Sequence, residues 1–158
     1  IVPDVITLAK GLGGGMPIGA CIATGATAEL FGPGKHGTTF GGNHLGCAAA
    51  LAVLKIIREE KLIENALHTG AYLMQRLQEL HSPLIKEIRG RGLMVGVELT
   101  VPVKEVREPL LFEERIFTGY SGLYTLRILP PLILSTKEVD IFVGSLKKVL
   151  DGYYENSR

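Results

Sequence analysis

Residues 4 to 20, DVITLAKGLGGGMPIGA, decide how this chain is read. Val5 to Ala9 are almost wholly apolar and lie between Pro3-Asp4 and a run with glycine at 11, 13, 14 and 15. A short apolar run bounded by turn residues is the pattern of a strand covered on both faces. Ile18 to Thr24 predict a second strand, whose small residues let a neighbour approach the backbone. Lys10 stands between the first strand and the glycines. A lysine at the carboxyl end of a buried strand sits where open α/β sheets bind ligands, and the glycines after it let the backbone come close to one. Burial and nearby positive charge favour a neutral amine, the form that condenses with an aldehyde. The plainer alternative is a lysine reaching from a strand end into solvent, and this spacing taken alone favours it.

Downstream, FGPGKHGTTFGGN, residues 31 to 43, holds five glycines and a proline and is expected to be a loop. Asn43 suits a helix cap, and the alanine-rich segment that follows, to about Glu60, favours helix. Residues 61 to 81 continue as a helix with Leu62, Ala66, Leu73, Leu77 and Leu80 on one stripe, which predicts a surface helix over a core. The period then changes to two. Leu93, Val95, Val97 and Leu99 alternate with Met94, Gly96 and Glu98 as in a half-buried strand, and IKEIRGRG before it supplies an adjoining strand and turn. A short helix is expected within 103–117, interrupted by Pro109. Tyr124, Leu126 and Ile128 alternate with Thr125 and Arg127 in a further strand stopped by Pro130-Pro131. Ser135 with Glu138 forms a capping box ahead of a final helix striped by Val139, Phe142, Val143, Leu146 and Leu150. The first part therefore has the pattern of the tail of an α/β sheet, and the second that of a compact α+β unit. The boundary is expected in the helix between Asn43 and Glu60, dividing the chain into residues 1–50 and 51–158.

Composition narrows the function classes. The chain is 46% hydrophobic and 21% charged, as in ordinary globular proteins. Its 17 basic and 16 acidic residues leave a net charge of +1, so no global field draws it to nucleic acid, a membrane surface or acidic partners. The longest apolar run, Leu45 to Leu54, is about half of the roughly 20 residues that span a bilayer. Cys21 and Cys47 sit among small apolar residues and are expected to be buried reduced thiols, which favours a cytosolic setting. The chain starts at Ile1 without an initiator methionine and is expected to be part of a longer protein. GPGKHGTT is superficially a phosphate loop, yet the nucleotide-binding motif needs a glycine where Glu29 stands and a hydroxyl residue where His36 stands. Met16 likewise occupies the third-glycine position of a dinucleotide fingerprint begun at Gly11. His36, His44, His68 and His81 have no carboxylate or cysteine at ligand spacing, so no metal site is expected. No local motif for a Ser/His/Asp or Cys/His site is present.

Taken together and in this order, TLAKGLGGGMPIGA, HGTTFGGN, RGRGLMVGVEL and LRILPPL resemble the class III aminotransferases, fold-type I enzymes that use pyridoxal 5'-phosphate. The resemblance runs from Ile1 to about Leu150 and matches only the latter part of such an enzyme. It implies the end of a cofactor-binding large domain with a mixed sheet, followed by a small C-terminal α+β domain. It also implies that Lys10 holds the cofactor covalently and moves the proton at the substrate's reacting carbon. Thr39, with Thr38 as the alternate, would donate to the phosphate of the cofactor in the neighbouring subunit of a homodimer; otherwise both are ordinary turn residues. Arg127 would bind a substrate carboxylate through two parallel hydrogen bonds, and is otherwise a sheet-surface arginine paired with a glutamate. His44 departs from the family, which has proline after Gly-Gly-Asn, a change that the first helical turn tolerates. The aspartate for the cofactor's ring nitrogen, its phosphate loop and its stacking aromatic residue are expected upstream of Ile1.

The implied activity is transfer of the distal amino group of N-acetylornithine to 2-oxoglutarate, in arginine biosynthesis and in the cytoplasm. Ornithine, 4-aminobutyrate, acetyl-lysine and succinylornithine are alternative donors. Two rivals come from other classes: a nucleotide-binding module using Gly34-Lys35, and a non-catalytic interaction domain.

Overall fold

A computed structural model describes residues 1–156. The chain divides into two compact units, Ile1–Lys61 and Leu62 onward.

In the first unit, β1 (Val5–Leu8) pairs antiparallel with β2 (Ala20–Ala23), with Ile6 opposite Ile22. α1 spans His44–Glu59, and the Asn43 side chain caps it by accepting the Gly46 N–H at 2.7 Å. The expected boundary at residues 50/51 falls inside α1. Val53, beyond that point, stays with the first unit: a Cβ on Gly14 would lie 3.0 Å from its Cγ2. β1 differs from the expectation of a strand covered on both faces, since every one of its residues is exposed, Val5 at 47%. Cys21 is exposed and Cys47 half-buried, rather than both buried. Apolar composition says what a strand can bury, but burial needs a second layer, and among the described residues none covers the β1–β2 ribbon.

The second unit builds its own core. α2 (Leu62–Gln78), β3 (Ile85–Arg91), β4 (Met94–Leu99), α3 (Val103–Phe112), β5 (Gly119–Ser121), β6 (Thr125–Ile128) and α4 (Thr136–Asn156) follow in that order. The strands form one antiparallel sheet in the order β3-β4-β6-β5. Its register sets Val95 opposite Ile128 and Val97 opposite Leu126, so one face is continuously apolar. Leu73 and Leu77 of α2, Val106 and Leu110 of α3, and Val143 and Leu146 of α4 are buried in one cluster with that face. The period-two alternation is the cause: Gly96, Glu98, Thr125 and Arg127 all fall on the opposite face.

Local signals place the ends. Ser135 and Glu138 form the expected capping box, with the Ser135 N–H donating to Glu138 Oε2 at 2.8 Å and the Glu138 N–H to Ser135 Oγ at 3.3 Å. The backbone N–H of Ser135 holds the Glu138 carboxyl below its ordinary range. Gly92, at φ 55, turns β3 into β4, and Gly70 lets α2 lie on that turn: a Cβ there would come 2.3 Å from the Gly92 carbonyl oxygen. Among the described residues no helix is long and apolar enough to cross a membrane, and no group of three metal-ligating side chains occurs.

Candidate active-site residues

Lys10 opens a 3-10 turn, Lys10–Gly13, directly after Ala9 at the end of β1. Its φ of 55 lies in the left-handed region, which costs a non-glycine residue on the order of 1–3 kcal/mol and persists only where the surroundings enforce it. Here they do. The Leu12 N–H donates to the Ala9 carbonyl at 3.1 Å, Gly14 to Gly11 at 3.1 Å and Met16 to Gly13 at 3.0 Å. Gly13 is buried so closely that a Cβ would stand 2.8 Å from Ile18 Cγ2. Gly14 has φ 58 and closes the turn. The glycine run is therefore a hydrogen-bonded turn with Gly13 buried in it, while Gly11 and Gly15 are open. Lys10 itself is exposed, not buried as a covered strand would have placed it, for the reason given for β1. It makes no ion pair among the described residues.

Thr38 and Thr39 lie exposed in the turn that leads into α1. The Thr38 carbonyl accepts the Gly41 N–H at 3.2 Å, and the Phe40 carbonyl accepts the Asn43 N–H at 3.3 Å. A Cβ on Gly41 would stand 2.5 Å from Thr38 Cγ2, so the Thr38 side chain lies where a side chain at position 41 would otherwise go. Two hydroxyls beside glycine-rich backbone are a donor set suited to a phosphate, and an exposed primary amine is suited to an aldehyde. The residues present fit the group that the resemblance implies.

Arg127 lies in the second unit, on the face of the sheet opposite the core, between Gly96 on β4 and Gly119 on β5. Leu126 and Ile128 on either side of it are 0% and 7% exposed, whereas Arg127 is exposed. Tyr124, grouped with them by alternation, precedes β6 and is exposed. The same row of the sheet holds Arg89, opposite Gly96, but the two arginines are in different electrostatic states. Arg89 donates to Glu98 Oε2 at 2.7 Å and Glu87 Oε2 at 2.9 Å. Its guanidinium is held above its ordinary range by Glu98, which it holds below. Arg127 makes no ion pair among the described residues, so its fork of donors is open to an external carboxylate.

Next to Arg127 is a cavity of about 370 Å³, lined among others by Phe117, Thr118, Gly119, Leu129 and Phe142. Thr118 is buried, and its hydroxyl has no hydrogen-bond partner among the described residues. Its carbonyl accepts from Arg107 Nε at 3.1 Å, and the Arg107 guanidinium lies 5.1 Å from the centre of the Tyr120 ring. Arg107 thereby ties α3 to the edge strand β5. Gly119 and Arg107 were not identifiable as neighbours of the site from sequence, because the β5–β6 register that brings them there cannot be read from a one-dimensional pattern.

The aminotransferase class-III family model matches residues 1–150, and the chain belongs to that family. It is 45% identical over 157 residues to an acetylornithine aminotransferase of Mycolicibacterium smegmatis, covering 99% of this chain and 40% of the relative. An ornithine aminotransferase of Brevibacillus brevis is 42% identical over 151 residues, covering 95% of this chain and 38% of the relative. A solved ornithine aminotransferase from Toxoplasma gondii, described with partial occupancy of PLP at its active site, matches with a TM-score of 0.91 at 32% identity. That match covers 99% of this chain and 38% of the other. The fold is thus a portion of fold type I, and the chain spans about 40% of the length of these relatives.

Proposed function

We propose that this chain is the lysine-bearing part of a pyridoxal 5'-phosphate-dependent aminotransferase, which moves the distal amino group of N-acetylornithine to 2-oxoglutarate. The observation that carries the proposal is Lys10, an exposed amine at a strand end on a strained, hydrogen-bonded turn, in a chain of this family. Lys10 holds the cofactor and then moves a proton at the substrate's reacting carbon. The bound cofactor supplies an electron sink for that carbon. Thr39, with Thr38 as the alternate, donates to the phosphate in the neighbouring subunit of a homodimer. Arg127 takes a substrate carboxylate, for which its planar fork is matched and a lysine is not. In this reading residues 1–50 serve the cofactor and the small domain follows them, with 51–61 belonging structurally to the first unit.

Acetylornithine is preferred as donor because it names the most similar of the relatives described, and with it come arginine biosynthesis and a cytoplasmic setting. Ornithine is the second reading, supported by the Brevibacillus relative. The intact protein is expected to be yellow, and borohydride should abolish the visible band while fixing the cofactor's mass on Lys10. Lys10→Ala should lose both. A colourless protein that binds nucleotide through Gly34-Lys35 would refute the proposal. Bleaching of the band by a panel of amino donors distinguishes N-acetylornithine from ornithine.

A further inference from the structure

We propose that Gly119 is a positioning residue for Arg127: the missing side chain on β5 lets the guanidinium lie low across the edge of the sheet, where it presents its donors to a substrate carboxylate. The inference rests on the reading of Arg127 as the carboxylate-binding residue. Gly119 is the cross-strand partner of Arg127. A Cβ built on it would stand 3.1 Å from Arg127 Nε and 3.3 Å from Nη2, tighter than ordinary van der Waals contact. Gly119 is not among the positive-φ glycines, so its backbone conformation is open to any residue. What glycine provides here is steric room for the guanidinium.

The two flanks of Arg127 are not equivalent. On the β4 side, a Cβ on Gly96 would meet Thr125 Cγ2 at 3.3 Å and the Arg89 side chain at 3.9 Å, not Arg127. The guanidinium therefore leans towards β5 and away from the Arg89–Glu98 pair. That direction keeps it apart from Glu98, the carboxylate which would otherwise compete for it. β5 is in turn fixed by Arg107, through the Thr118 carbonyl on one side of Gly119 and the Tyr120 ring on the other. A methyl group at position 119 presses most closely on the end of a flexible side chain and meets backbone, the Arg127 carbonyl oxygen, only at 3.4 Å, the edge of ordinary contact. The fold absorbs it, and the guanidinium is what moves.

The test uses the intact protein and two variants, Gly119→Ala and Gly119→Val, with Arg127→Lys for comparison. Calorimetric titration with glutarate, a dicarboxylate that cannot react, reads the binding of the carboxylate directly. The dissociation constant for glutarate and the KM for 2-oxoglutarate are expected to rise on the order of tenfold in Gly119→Ala, as when one of two charge-assisted hydrogen bonds is weakened. Gly119→Val should raise them further. The kcat and the borohydride-fixed mass on Lys10 should stay unchanged in both, a split that general loss of structure cannot produce. Unchanged glutarate affinity in both Gly119 variants overturns the inference, whether or not Arg127→Lys weakens binding. Loss of affinity in the Gly119 variants of a protein that takes no cofactor on Lys10 supports the inference and refutes the proposed function.

Discussion

Arg127 and Arg89 show how little residue type alone decides. Both are exposed arginines in one row of an antiparallel sheet, yet Glu98 and Glu87 occupy the donors of Arg89 and, among the described residues, no acidic side chain pairs with Arg127. Arg127→Lys keeps the charge and loses the bidentate geometry, so it should raise the KM for 2-oxoglutarate about tenfold to a hundredfold, the range set by about 1.5–3 kcal/mol for a charged hydrogen bond. Arg89→Lys should change that KM little, and steady-state kinetics on the two variants reads the difference. Thr118 supplies a prediction of opposite sign. Its buried hydroxyl has no partner among the described residues, so Thr118→Val removes an uncompensated desolvation. The variant should be more stable by about 1 kcal/mol, measured as a higher urea midpoint at unchanged slope. The position of Lys10 at a strand end was readable from the apolar run and the glycines, but that spacing alone favoured a solvent-facing lysine and its role rests on the resemblance. The role of Gly119 was not readable, since its meaning lies in the residue opposite it.

At the scale of elements, the contact between α2 and the β3–β4 turn depends on one missing methyl group. Gly→Ala inside a helix ordinarily gains about 1 kcal/mol from propensity. At Gly70 the added Cβ would stand 2.3 Å from the Gly92 carbonyl oxygen, a backbone atom that cannot step aside. Overpacking of that kind costs about 1–3 kcal/mol or more and outweighs the gain. Gly70→Ala should lower the urea midpoint by about 2 kcal/mol equivalent, whereas Gly144→Ala in α4, whose Cβ meets nothing within 4 Å, should not lower it. The capping box at Ser135 and the Asn43 cap were readable because they are local, formed within three residues. The 3-10 turn at Lys10 is also held by bonds three residues apart, and only the contact of Gly14 with Val53 comes from a distant part of the chain.

Across the whole molecule, the second unit carries its own core, and acidic groups fasten its surface. Asp140 on α4 accepts from Tyr72 and Arg76 on α2, and these bonds hold its carboxyl below the ordinary range; Glu98 and Glu114 are lowered by Arg89 and Lys148. Folded values below the unfolded ones mean that the stabilisation is fully present above the unfolded carboxylate range, about pH 4. It is lost as pH falls through the lowered folded values. Urea midpoints should hold between pH 7 and 5 and fall below about pH 4, and Asp140→Asn should shrink that fall. Hydrogen exchange should find the slowest amides of the second unit in β4, β6 and α4, whose side chains fill its core. The sequence by itself determined the helices and the strands other than β5, the α+β character of the second unit and the place of Lys10, because period, caps and turn glycines act over a few residues. Only the tertiary structure decided which side chains face each other across strands, and that Arg127 rests on a bare glycine. Those outcomes depend on register and on contacts between segments far apart in the chain, which no local pattern encodes.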